Sequence, residues 1–237
     1  MPHLERLEIP AHQTLQPADE PASSVHFPET GIFFMLATLE DGESAEVGVI
    51  GREGMLGIPL LLGAERMPFD AITHAGGTVL RLGAGAFRDE LSGPSVLRPL
   101  LMRYAMASLV QVAQTAACNS RHHLDRRLAR WLLAADDRVD GDSFPMTHEF
   151  LAMMLGVRRA GITVAAQALQ RAGLIQYGAG RMQILDRPGL EAACCECYAV
   201  VEREFQRLLG PGTASRAQPC AEERGAAGRL AAPVSFA

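Results

Sequence analysis

The sequence predicts an α+β chain: a front of short strands, one long helix, then a helix-turn-helix with a hairpin behind it. Three observations carry this. Gly and Pro punctuate the first ninety residues, the apolar period becomes helical near Ser95, and a glycine corner separates two amphipathic helices after Thr147.

The strands come first. Leu7-Glu8-Ile9 ends at Pro10, and Ser24-Val25-His26-Phe27 ends at Pro28. Gly31 to Leu39 is strongly apolar, Asp41-Gly42 supplies a hairpin turn, and Ala45 to Ile50 returns. Asp70 to Thr73 is a further strand, and Thr78 to Leu82 alternates after Gly76-Gly77. Many short strands of this kind predict a small barrel or sandwich.

From Ser95 to Ala117 the only charges are Arg98 and Arg103. Apolar residues fall on two helical stripes, one of Leu97, Leu101, Ala105, Leu109, Val112 and Ala116, the other of Met102, Met106, Val110 and Ala113. Two apolar faces predict burial on both sides, by the β-domain and by a second copy of the chain. A helix from Arg121 to Val139 follows, with Leu124, Leu128, Trp131, Leu132 and Ala135 inward, and Asp140-Gly141-Asp142 acts as a short linker. Leu190 to Leu209 is helical in pattern, and the Gly/Ala/Pro/Arg-rich stretch from Gly210 predicts a disordered tail.

Charge divides along the same lines. All 22 basic residues are Arg, and the net charge is −5. Residues 1–90 hold 5 Arg against 14 acids, residues 91–190 hold 12 against 7, and the remainder holds 5 against 6. An acidic front joined to a basic middle suits a sensor attached to a nucleic-acid-binding module. No apolar run reaches the roughly 20 residues that span a bilayer. The opening MPHLERLEIP has neither a basic nor an apolar signal region, so a cytoplasmic protein without membrane contact is expected.

The basic module holds the chemistry. Thr147 is a good N-cap for a helix whose stripe is Phe150, Leu151, Met154 and Leu155. Gly156 permits the tight corner, Val157 plugs it, and a second helix buries Ile162, Ala165, Ala166 and Leu169 before Gly173. Arg158 and Arg159 then stand at the N-terminal end of the second helix, where a major-groove reader meets base edges. Thr163 and Gln167 follow on the outward face, while Thr147 and His148 are placed to hold a phosphate backbone. Ile175 to Leu185 makes a wing carrying Arg181. Gly161, inside the second helix, is expected to allow close approach to DNA. The partner this predicts is double-stranded DNA.

Other constellations read as structural. Cys194, Cys195 and Cys197 are spaced too tightly for the usual zinc pairing and are expected to be small packing residues on a helix. His122 and His123, beside Arg126 and Arg127, read as solvated helix surface. No metal site and no cofactor are expected. No Ser/His/Asp order, carboxylate pair or phosphate loop appears, so an enzyme is not expected.

With these residues in view, the chain resembles the Crp/Fnr family of dimeric transcription regulators over most of residues 5–190. The segment EVGVIGREGMLGIPLLLG (46–63) is similar to that family's effector segment. The resemblance implies a cyclic-nucleotide-binding-like β-roll, a jelly roll, at 1–92, a dimerisation helix at 93–120 centred on 95–117, and a winged helix-turn-helix at 121–190. A C-terminal helix at 191–209 and the tail at 210–237 complete the expected organisation. The resemblance further implies a homodimer on a palindromic operator, with RNA polymerase as a second partner. It places an effector pocket around Gly57, Ile58 and Arg66. Where cyclic-AMP responders have a Gly-Glu-Leu turn this chain reads Gly57-Ile58-Pro59, and no Arg-Ser-Ala turn follows Arg66. An apolar substitute leaves the polar atoms of a cyclic nucleotide unpaired, so that effector is not expected. No cysteine precedes Cys118, against an N-terminal iron–sulfur sensor.

Overall fold

The computed structural model describes residues 3–141 and 143–211. Its strands β1 (Glu5–Ile9), β2 (Thr14–Gln16), β3 (Ser24–Pro28), β4 (Phe33–Thr38) and β5 (Ser44–Ile50) lead into a short helix α1 (Ile58–Leu61). Strands β6 (Asp70–Thr73) and β7 (Gly77–Gly83) and helix α2 (Ala84–Ser92) complete the first unit. One sheet runs β1-β7-β3 and the other β2-β6-β4-β5, every pairing antiparallel. Between them lie Phe33, Ile50, Leu56, Ala71 and Val79. This is the expected β-roll; β2, α1 and α2 are too short or too weakly patterned to have been read from sequence.

Strand β4 explains its unbroken apolar sequence. Phe33 points into the β-roll and its neighbour Phe34 to the opposite face, and neither is exposed. A strand covered on both sides does not alternate. At its end the turn is the expected one: Gly42 has φ 84° and Asp41 Oδ1 accepts from the Glu43 amide at 3.0 Å.

Helix α3 (Leu97–Arg121) packs against β5, with Pro99 tolerated in its first turn. Its buried side departs from the inward stripe expected from apolar spacing at Leu109 and gains polar members. Leu101, Tyr104, Ala107, Ser108, Gln111, Thr115 and Cys118 are buried, whereas Met102, Met106 and Leu109 are exposed. The polar members are covered because each has a partner: Tyr104 donates to the Met55 carbonyl at 3.3 Å, and Gln111 Oε1 accepts from the Val49 amide at 3.4 Å.

The second unit is α4 (Leu124–Asp136), β8 (Ser143–Pro145), α5 (His148–Leu155), α6 (Arg159–Arg171), β9 (Ile175–Gly178) and β10 (Arg181–Ile184). The third strand, β8, pairs with β10 in a β8-β10-β9 sheet, so the expected linker runs directly into structure. The single helix expected at 190–209 is two, α7 (Arg187–Ala193) and α8 (Cys197–Leu209). The break falls at Cys194, where the backbone is extended, so Cys194 and Cys195 are not helical as expected. Helix α8 lies along α3, with Phe205 edge-on to Tyr104. The expected tail lies outside the described residues from 212 onward.

The two units share a core. Phe34 stacks on Trp131 at 5.6 Å and meets Phe150 edge-on at 5.4 Å, while Trp131 Nε1 donates to the buried Glu46 at 2.5 Å. Beside it, Arg138 and Glu53 pair at 2.8 Å with both side chains 2% exposed. Trp131 is the only tryptophan, so its emission reports on this junction. Replacing Phe34 with Ala should destabilise the protein by about 3–5 kcal/mol. A red shift of Trp131 emission should appear at denaturant concentrations where the parent protein is unaffected.

Candidate nucleic-acid interface

Helix α5 begins as its sequence dictates. Thr147 is extended, its hydroxyl accepts from the Phe150 amide at 3.1 Å, and it remains exposed. Gly156 closes the helix in the left-handed region at φ 59°, and Arg158 caps α6 with extended backbone. Ile162, Ala165, Ala166 and Leu169 are buried, as the spacing requires. In the wing, Ala179 and Gly180 both have positive φ, the geometry of a two-residue hairpin turn between β9 and β10.

The sequence-selected residues separate into free and committed groups. Arg158 and Arg159 are exposed beside Thr147, and Gln167 is exposed farther along α6. Arg159 Nε stands 3.8 Å from Glu149 in a solvated contact of little energetic weight. His148 and Thr163 are tied to each other. The Thr163 hydroxyl donates to the Arg159 carbonyl at 3.2 Å, which makes His148 Nδ1 the donor to Thr163 at 3.1 Å. The same imidazole stacks on Tyr177 of the wing at 4.3 Å. Burial, and then the nearby Arg159, lower the His148 pKa and favour this neutral form. Arg181 is also held, by Nε and Nη2 bonds to the Ser143 hydroxyl and an Nη2 bond to its carbonyl at 2.8 Å. Gly161 has a packing role as well. A Cβ there would lie 3.0 Å from Leu124 Cδ2, so its smallness serves the packing of α6 on α4.

Comparison with known proteins accounts for both units. A cyclic nucleotide-binding domain model matches residues 6–93, and a Crp-like helix-turn-helix domain model matches residues 126–193. The chain belongs to the Crp/Fnr family. Among solved structures, FixK2 from Bradyrhizobium japonicum is 18% identical, with a TM-score of 0.70 over 81% of this chain and 98% of that one. A CRP-family transcriptional regulator from Thermus thermophilus is 22% identical, with a TM-score of 0.66 over 80% and 95%. The c-di-GMP-responsive regulator CLP of Xanthomonas campestris is 16% identical, with a TM-score of 0.63 over 77% and 94%. No curated protein matches the sequence.

In the β-roll of this Crp/Fnr chain, Gly57 (φ 112°) is packed so that a Cβ would meet Val25 Cγ1 at 2.7 Å. Ile58 lies against the core that includes Val25 and Met55, and the Arg66 guanidinium is bonded to the Asp19 carbonyl. No described helix is long and apolar enough to cross a membrane.

Sequence reading missed one grouping. Cys118 Sγ lies 3.5 Å from Cys195 Sγ, and Cys197 Sγ lies 3.4 Å from His122 Nδ1. Thus His122 is half-buried and turned inward rather than solvated, while His123 is exposed as expected. Cys118 and His122 stand four residues apart at the end of α3, a spacing that places both on one helical face and is the only local signal.

An open cleft separates the interface from the β-roll. His12, Glu43, Ser44 and His74 line one wall, and Thr147, Glu149, Arg158 and Arg159 the other. At its floor His74 stacks on Phe150 at 3.9 Å and meets His12 edge-on. Burial, and then His12, lower the His74 pKa to about 4 from 6.5. Burial, and then Arg81, do the same to His26 in β3. Both imidazoles are therefore held neutral by folding, a stabilisation complete above pH 6.5 and lost as the pH falls towards 4. Denaturant midpoints should decline over that interval, and His74→Phe should flatten the profile while leaving the His26 contribution.

Proposed function

We propose that the chain is a sequence-specific transcription regulator that acts as a homodimer on a palindromic operator. The observation that carries this is the pair Arg158 and Arg159, exposed together at the start of α6 on a folded winged helix-turn-helix. An arginine in that position can pair with guanine in the major groove. In this reading Arg158 and Arg159 contact bases, and Gln167 a base or phosphate. Thr147 and the first amides of α5 hold the backbone. His148 and Thr163 act chiefly by fixing α5, α6 and the wing to one another, and Arg181 fixes the wing to β8. RNA polymerase is the second partner.

Support for the dimer comes from α3. Met102 and Met106 are each 47% exposed and Leu109 is 61% exposed, on the side away from the β-roll. These positions follow at four and three residues, one stripe of a helix. A second α3 related by two-fold symmetry is the occupant that fits, and it gives the operator its symmetry.

The signal is assigned to the β-roll around Gly57, Ile58 and Arg66. The close packing of Gly57 on Val25 and the bond from Arg66 to Asp19 also favour a second reading, in which the β-roll serves assembly and binding to DNA needs no ligand. A thermal-shift screen separates the two, because a true effector stabilises the state that it binds.

Two variants test the main reading. Replacing Arg158 or Arg159 with Ala should weaken specific binding roughly 10- to 100-fold in a gel shift at fixed salt. The dimer should persist, and unchanged specific affinity would remove α6 from the recognition role. Leu109→Asp should yield monomers in sedimentation and abolish high-affinity binding to the two-half-site operator, with the circular-dichroism spectrum of the folded chain retained.

A further inference from the structure

Four side chains converge at the junction of α3 and α8. Cys118, His122, Cys195 and Cys197 each offer one ligand atom, and all four atoms lie within 4.8 Å of one another. Three of the side chains are buried and His122 is half-buried. Elements distant in sequence build the group. Cys118 and His122 sit one turn apart where α3 ends, and the break between α7 and α8 turns Cys195 and Cys197 back towards them. Cys194, by contrast, is bonded to the Glu191 and Cys195 carbonyls and stays outside the set.

We propose that this quartet binds one zinc ion as a structural Cys3His site. Zinc–sulfur and zinc–nitrogen bonds of about 2.3 and 2.0 Å in a tetrahedron separate neighbouring ligand atoms by roughly 3.5–3.8 Å. The observed 3.5 Å between Cys118 and Cys195 and 3.4 Å between Cys197 and His122 are close to that spacing, and the remaining pairs, all within 4.8 Å, need only draw in on the ion. An iron–sulfur cluster holds its cysteines farther apart, because each binds across a core of several atoms. Four protein ligands leave no open coordination position, which marks a structural rather than a catalytic site.

The surroundings are those of a zinc site. His122 presents Nδ1 to the thiols while its Nε2 stands 3.4 Å from Glu196 Oε1, the carboxylate–histidine arrangement that orients a metal-bound imidazole. Gln114 Nε2 donates to Cys197 Sγ at 3.1 Å. Three thiolates and a divalent ion leave one negative charge, and Arg130 lies close enough to Cys118 to offset it. On binding, each thiol releases its proton to solvent and no electron is transferred.

The full chain, purified under reducing conditions and dialysed, should contain about one zinc per chain by elemental analysis. Cys118→Ser, His122→Ala and Cys195→Ser should each lose most of it, and Cys194→Ser should keep it. Should those variants fold poorly, the apo form of the parent protein provides the second measurement. Cobalt(II) should bind it with the visible bands of a tetrahedral ion and thiolate charge transfer in the near ultraviolet, and zinc should bleach both. Removal of zinc by a chelator should lower the melting temperature. A protein without zinc that gives no tetrahedral cobalt spectrum overturns the proposal, as does iron with sulfide or a Cys118–Cys195 disulfide in the reduced preparation. Arg158→Ala should retain full zinc, which keeps this test independent of DNA binding.

Discussion

The arrangement of the whole molecule depends on the contact between Phe34 and Trp131. It is the point where a β-strand face and a helix from the other unit bury each other, and Phe150 completes it from α5. Remove that stack and the second face of β4 is open to water. The orientation of α5, hence of the corner at Gly156 and of the arginines after it, follows from how Phe150 is seated. The hydrogen bond from Trp131 to Glu46 adds direction to a contact that hydrophobic burial alone would leave free to slide. Burial raises the Glu46 pKa, opposed by Arg130 and by that bond.

Around this stack lies an unusual amount of buried charge. Arg138 pairs with Glu53 across the two units, and Arg187 reaches Asp136, Asp137 and the Tyr198 hydroxyl. Such groups add little net stability, because desolvation offsets most of the attraction. They do exclude alternatives. A shift of one residue between the units would strand several charges in a dry interior, whereas an all-apolar junction would tolerate it. The aromatic contacts supply adhesion here and the ion pairs supply register.

What could be read from sequence follows the range of the forces involved. The helix-turn-helix was legible because its determinants are local: the Thr147 cap, the Gly156 corner and the spacing from Ile162 to Leu169 lie within one short stretch. The inner face of α3 was not, because Ser108, Gln111 and Thr115 are buried only by virtue of distant partners such as the Val49 amide and Arg130. Apolar spacing therefore assigned Leu109 to the same side as Leu101, and the fold separates them. The contact of Gly161 with Leu124 was hidden for the same reason, since Leu124 belongs to another helix. The cysteines were hidden most completely: Cys118 and Cys195 lie 77 residues apart, and spacing within either group says nothing about the other.

That separation has a mechanical meaning. The segment from Cys118 to Cys195 contains α4, α5, α6 and the three-stranded sheet, and its two ends meet at one place on the long helix. The helix-turn-helix unit is thus a closed loop, its ends meeting at Cys118 and Cys195 and its body seated on the β-roll through Trp131 and Phe150. A loop held at both its ends and its body cannot drift from the long helix. The chain between α3 and α6 therefore has little slack.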